Sequence, residues 1–94
     1  MKATSAAKVK KFIDIPNIGP AVAKRLLLIG LQSPRQLKNK DPFDLYQKSC
    51  KLSKMREDPC LLDTYMAAVD FMNGASRRPW WFYTKERKQH YPKI

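Results

Sequence analysis

IDIPNIGPAVAKRLLLIG, from Ile13 to Gly30, sets Pro16-Asn17-Ile18-Gly19-Pro20, residues unfit for a helix interior, between two helical patterns. A loose linker needs no such chemistry. Pro16 ends a helix because its ring clashes with the preceding turn and it offers no N–H. Asn17 is the non-glycine residue most at ease with positive φ, and Gly19 adopts it without penalty. Ile18 turns back into the core and pins the bend. The helix that follows opens with unpaired N–H groups and the positive end of its dipole, which together form an anion site. Lys24 and Arg25, one turn on, extend that site toward neighbouring phosphates, and the small Ala23 lets the two helices approach closely.

Outward from the hairpin, proline just inside a helix start marks further boundaries, as Ser or Asp before it supplies a cap. Ser33-Pro34, Asp41-Pro42 and Asp58-Pro59 are such signals. The predicted helices are Ser5–Asp14, Ala21–Ile29, Pro34–Lys38, Pro42–Lys51 and Pro59–Asn73. Val9, Phe12 and Ile13 share a face of the first. Val22, Leu26 and Ile29, with Ala23 and Leu27 alongside, form the stripe of the second. Leu62, Tyr65, Met66, Val69 and Met72 form that of the fifth, while Gly30 and Gly74 end their helices. No strand pattern is evident. The expected class is all-α, a compact bundle of about five short helices in one domain over 1–94, with 75–94 as a basic aromatic tail.

The chain has 94 residues, 19 Lys+Arg and 8 Asp+Glu, for a formal net charge of +11. That sign favours phosphate-rich or acidic partners over neutral metabolites. Cys50 and Cys60 lack any CxxC pattern and the sole histidine is His90, which argues against a zinc site. Two free thiols in a reducing compartment are the plainer reading, with a disulfide as the alternative. "MKATSAAKVKKF" has no apolar run of signal-peptide length, and "LLLIGL" is too short to span a bilayer, so the expected compartment is the cytoplasm, with no membrane partner.

Ile15, Pro16, Ile18, Gly19, Pro20, Ala23 and Leu26 resemble the helix-hairpin-helix motif, whose pattern is a Pro-Gly-hydrophobic-Gly hairpin. The resemblance implies DNA binding without sequence preference, through hairpin amides to phosphates, within a SAM-domain-like arrangement. Some members also hold a monovalent cation on hairpin carbonyls, of which this sequence gives no independent sign. Two departures bear on affinity: Asn17 stands where the first hairpin glycine usually does, and Ala21 where strong binders often carry lysine. Over about residues 8 to 88, "SPRQLKNKDPFDLYQKSC", "EDPCLLDTYMAAVDFM" and "PWWFYTKERK" resemble the small bacterial pathogenicity-locus (mitomycin-resistance-like) family. The C-terminal domain of the competence regulator Tfo is similar by the same features.

The remaining motifs carry two readings each. Trp80, Trp81, Phe82 and Tyr83 lie among basic residues and suit a single-strand platform. Alternatively they fold back on the core with at least two of the four buried, which is the preferred expectation. Asp58 reads as a cap and Asp63 with Asp70 as a polar face. Cys60, at a helix start where a thiolate is favoured, is the one thiol with a case for reactivity. No nucleophile is paired with a base, so an enzyme is not expected, nor is a cofactor or metal. The expected function is DNA-backbone binding, duplex before single strand. Asn17, Ile18, Gly19, Ala21, Lys24, Arg25, Lys8 and Lys11 are its contacts, with Lys10 adding attraction and Arg77, Arg78, Trp80 and Trp81 in a secondary role. The rival is an adaptor whose basic surface meets an acidic protein.

Overall fold

Asp41 and Asp58 do what an acidic residue before a proline is suited to do. Their carboxylates accept the N–H groups of Phe43 at 3.0 Å and Cys60 at 2.8 Å, and open two helices. Over residues 2–94, which the computed structural model describes, the chain is all-helical, with α1 (Pro20–Leu28), α2 (Pro42–Ser53), α3 (Pro59–Met72) and α4 (Thr84–His90). Short 3-10 turns occupy Ala6–Lys8, Phe12–Asp14, Pro34–Leu37 and Trp80–Tyr83. There is no strand among the described residues, and no helix there is long and apolar enough to cross a membrane.

Helix ends are as legible as the starts. Gly30, at φ 108°, lets the Leu31 N–H reach back to Leu26 O at 3.1 Å while its own N–H meets Leu27 O. Gly74, also at φ 108°, closes α3 in the same way, through Ala75 N–H to Asp70 O. Both are Schellman closures, for which a residue with positive φ is required. Lys54 closes α2 similarly at φ 57°, without the help of glycine.

Helix α3 is the hub. Ten of its 14 residues are buried, and α2, α4 and the Pro34–Leu37 and Trp80–Tyr83 turns pack around it. Leu26, Leu37, Leu45, Leu62, Tyr65 and Ala68 meet in one apolar cluster with Ile15 and Ile18 of the hairpin. Within it, the Tyr65 and Ser49 hydroxyls bond at 2.7 Å and Ser49 donates to Leu45 O, so no polar atom there is stranded.

Several expectations change. Ser5–Asp14 is two 3-10 turns rather than a helix, because the Asp14 carboxylate takes the Lys10 and Lys11 N–H groups at 3.0 and 2.9 Å. A side chain that bonds local amides competes with the helical ladder. Val9 and Phe12 are buried as expected, but Ile13 is exposed. Pro34–Leu37 is likewise a 3-10 turn. Within the 75–94 tail the Trp80–Tyr83 turn packs on α3, as the preferred reading of the aromatics expects, and the chain goes on into a helix, α4, that the sequence reading lacks.

The largest change concerns Asp63. It lies on the buried face of α3 at 0% exposure, not on a polar face. Arg87 Nε of α4 donates to Asp63 Oδ1 at 2.9 Å, and Thr84 Oγ1 donates to Oδ2 at 2.7 Å. Asp70 accepts from the Tyr83 hydroxyl at 2.9 Å. Asp63→Ala strands the Arg87 charge and is expected to destabilise the fold by about 3–5 kcal/mol. Urea unfolding followed by circular dichroism measures this, and a change below about 1 kcal/mol would show that the pair does not hold α4.

Candidate nucleic-acid interface

Ile15 to Ile18 form a type II turn. Pro16 takes the second position, Asn17 the third at φ 73°, and the Ile18 N–H closes it on Ile15 O at 3.1 Å. Ile15 and Ile18 are both fully buried, so the turn is pinned to the core from either side. Gly19 then caps α1, its carbonyl accepting the Ala23 N–H at 2.9 Å. Pro20, at the first helical position, has no N–H to place. Among the described residues, the N–H groups of Gly19, Ala21 and Val22 have no protein acceptor.

Positive φ falls to Asn17 alone. Gly19 sits at φ −91°, ψ −179°, a conformation open to any residue, which corrects the expectation that it too would be left-handed. A Cβ built on Gly19 meets nothing within 4 Å. Neither backbone nor packing therefore demands glycine here.

The Asn17 side chain does not stand over the free amides. Its Nδ2 donates to Arg78 O at 2.7 Å, and its Oδ1 accepts the Trp80 N–H at 3.2 Å. The amide thus clamps residues 78–80 to the hairpin across some sixty positions of sequence. A second contact comes from the other end of the chain: the Lys2 ammonium donates to Ile13 O and Ile18 O. Burial there pushes the Lys2 pKa down, with Asp14 opposing. Neither contact was legible beforehand, although an amide side chain at a turn position where glycine suffices was a signal.

Lys2, Pro16, Asn17, Arg77, Arg78 and Pro79 line a depression of about 300 Å³ beside the turn. A neighbouring one, about 270 Å³, runs past Lys2 to Gly19 and Pro20. The hairpin and the secondary basic residues are thereby joined into one surface. Arg78 lies over the Phe82 ring at 4.8 Å, and Trp80 is half-buried. Of the four consecutive aromatics only Tyr83 is buried. Trp81 and Phe82 are 64% and 58% exposed, so fewer fold inward than expected.

Other predicted contacts are distributed differently. Lys24, Lys8 and Ala21 are exposed. Arg25 is turned to Glu57, Nη1 to Oε1 at 2.6 Å, and staples α1 to the loop before α3. Lys10 and Lys11 line a separate apolar hollow of about 370 Å³ with Phe12, Ile13, Ala23 and Leu27. Burial, then the Asp58 carboxylate, raises the Cys60 pKa, the reverse of an activated thiol. Both cysteines are free.

An all-helical basic chain with unpartnered amides at a tight turn is the class these features define. A model of the pathogenicity locus (Cdd1) family matches residues 5–89, and the chain belongs to that family. It is also similar to the mitomycin resistance protein McrB of Streptomyces lavendulae, 47% identical over 73 residues, covering 78% of this chain and 70% of that protein. No solved structure matches it.

The Arg25–Glu57 pair predicts an acid dependence. The Ser53 hydroxyl, and then Arg25, hold the Glu57 carboxyl below its usual range. A carboxyl whose folded pKa is depressed contributes stability above its unfolded value and loses it as pH falls through the folded one. Glu57→Gln is thus expected to flatten the decline of the urea midpoint through the carboxylate range, and an unaltered acid limb would refute the assignment.

Proposed function

We propose that this chain is a non-enzymatic DNA-binding module that grips backbone phosphate at the Asn17–Val22 turn with little base preference. The helix-hairpin-helix and SAM-domain-like reading, and with it the likeness to the Tfo domain, belongs to the same proposal. The observation that carries it is Gly19. A glycine whose own fold has no need of it, beside amides without acceptors, suits the close approach of an external anion. Lys24, exposed one turn on, and Lys2, which lines the hollow that runs past Gly19 and Pro20, would reinforce an oxygen bound there, and Lys8 and Lys11 would contribute long-range attraction. Arg25 plays a smaller part than its position implied, being engaged by Glu57. Two to four phosphate contacts would give a fall in log K against log salt of about 0.9 for each.

A second reading keeps one supporting feature. The hollow between Lys10, Lys11, Ile13 and Leu27 is apolar with a basic rim. It suits an acidic protein segment with a hydrophobic anchor, as an adaptor would require.

Gly19→Ala separates these readings. The substitution meets open space and an ordinary φ, and the stiffer unfolded chain offsets part of alanine's weaker capping, so folding stability is expected to stay within about 1 kcal/mol by thermal melting. Affinity for a fluorescently labelled duplex is expected to fall about tenfold or more, the loss of one charge-assisted contact. Lys24→Glu should weaken binding further and reduce the salt slope. Undiminished binding by a folded Gly19→Ala variant would overturn the hairpin as the site.

A further inference from the structure

Trp81 and Phe82 are two large aromatic side chains that this fold leaves mostly in solvent. They are exposed yet held firmly. The Phe82 N–H bonds to Pro79 O at 3.0 Å, while Tyr83 anchors the turn on Asp70 and Thr84 anchors it on Asp63. Asn17 fixes the near end of the same segment to the hairpin through Arg78 O and the Trp80 N–H. The backbone that carries the rings is therefore tied to both sides of the fold. Trp80 and Trp81 meet at 86°, with centroids 5.6 Å apart, so they do not close into a face-to-face stack. Arg77, Arg78, Lys85 and Lys88 flank the pair in sequence, and Arg78 lies over one ring, that of Phe82, at 4.8 Å.

We propose that this segment is a stacking platform for unpaired nucleobases, set beside the hairpin so that the module prefers duplex DNA flanked by single strand. The proposal rests on the phosphate-binding reading of the hairpin and names the form of DNA it takes. The chemistry selects the occupant. Bases in a duplex already stack on one another and hide their faces, whereas an unpaired base offers a face to an aromatic ring and a phosphate to an adjacent arginine. An acidic peptide would satisfy the arginines and leave the indole face unmatched. The hairpin, for its part, engages backbone only and is indifferent to pairing. Joining the two through Asn17 places a backbone grip and a base platform on one rigid unit, which is what a junction between paired and unpaired strands presents.

The test compares three labelled DNAs by fluorescence anisotropy: a blunt duplex, the same duplex with an unpaired oligothymidine overhang, and oligothymidine alone. Wild type is expected to favour the overhang duplex over the blunt one about tenfold, the order of one or two stacked bases, with quenching of tryptophan fluorescence. Trp81→Ala and Phe82→Ala, at exposed positions, should abolish that preference and leave blunt-duplex binding within about twofold. Asn17→Gly, which keeps the positive φ and loses only the amide, should diminish the preference by releasing the segment from the hairpin. A preference that survives in the Trp81→Ala, Phe82→Ala double variant overturns the platform. Blunt binding with no gain from the overhang overturns the platform and leaves the hairpin standing. Binding of oligothymidine that needs Trp81, without any duplex binding, supports the platform and overturns the hairpin. Failure to bind any of the three overturns both, and binding only to anionic lipid vesicles through Trp81 does the same.

Discussion

A carboxylate without access to water cannot stay charged unless something charged meets it, and Asp63 has been placed in the middle of the most buried helix. Its demand is met from outside α3, by Arg87 and Thr84 of α4. The last third of the chain is thereby obliged to return across the core. An apolar residue at position 63 would bury more easily but would not specify what covers it, since hydrophobic contact is non-directional. A bidentate acceptor facing one guanidinium and one hydroxyl fixes both the position and the direction of α4. The Trp80–Tyr83 turn, immediately upstream, is carried into place with it.

That return is what makes the interface composite. Residues 78–80 arrive beside the hairpin and are captured by Asn17, while Lys2 arrives from the other end of the chain. At the turn itself the two unusual residues divide their tasks. Positive φ is required once, and Asn17 supplies it; a glycine there would serve the backbone equally well but have no amide with which to hold Arg78 and Trp80. Gly19 is relieved of any conformational duty and contributes only its lack of a side chain. Asparagine in place of a glycine at position 17 is therefore a gain of tertiary structure, its amide being turned to Arg78 and Trp80.

How much of this could be read beforehand follows the range of each interaction. Asp41-Pro42, Asp58-Pro59, Gly30 and Gly74 act on neighbours within one turn, and α2, α3 and the end of α1 stand where those signals put them. The pinning of the hairpin by Ile18 was local as well. Apart from the first segment, where a local carboxylate competes with the helix, the failures are non-local. Ser5–Asp14 had the apolar spacing of a helix, but the Asp14 carboxylate and the bond from Ala3 N–H to Asp14 O favoured a tighter path. Asp63 looked solvated because its own helix gives no sign of Arg87, which lies 24 residues on. Arg25 was assigned to phosphate because Glu57 is remote in sequence and adjacent only in space. Periodicity reports which face is apolar and is silent on which polar group will be paired.

The distribution of charge carries the same logic to the surface. The acids are largely consumed by the fold: Asp14, Asp41 and Asp58 hold backbone amides, Asp63 and Glu57 hold arginines, and Asp70 holds a tyrosine. The cations are not. Among the described residues only Arg25, Lys48 and Arg87 are in ion pairs, in a chain whose net charge is +11. Each unpaired cation raises the self-repulsion of the folded state, including Lys2 and Arg78, which make contacts within it. Such an excess is an energetic burden to the isolated molecule, relieved only when something outside it carries the opposite sign in quantity. On the proposed reading a polyanion would do so along a continuous backbone, beginning at the depression where Lys2, Arg77 and Arg78 meet the turn. A single acidic segment docked on the Lys10–Lys11 hollow would neutralise one corner and leave most of the excess where it was.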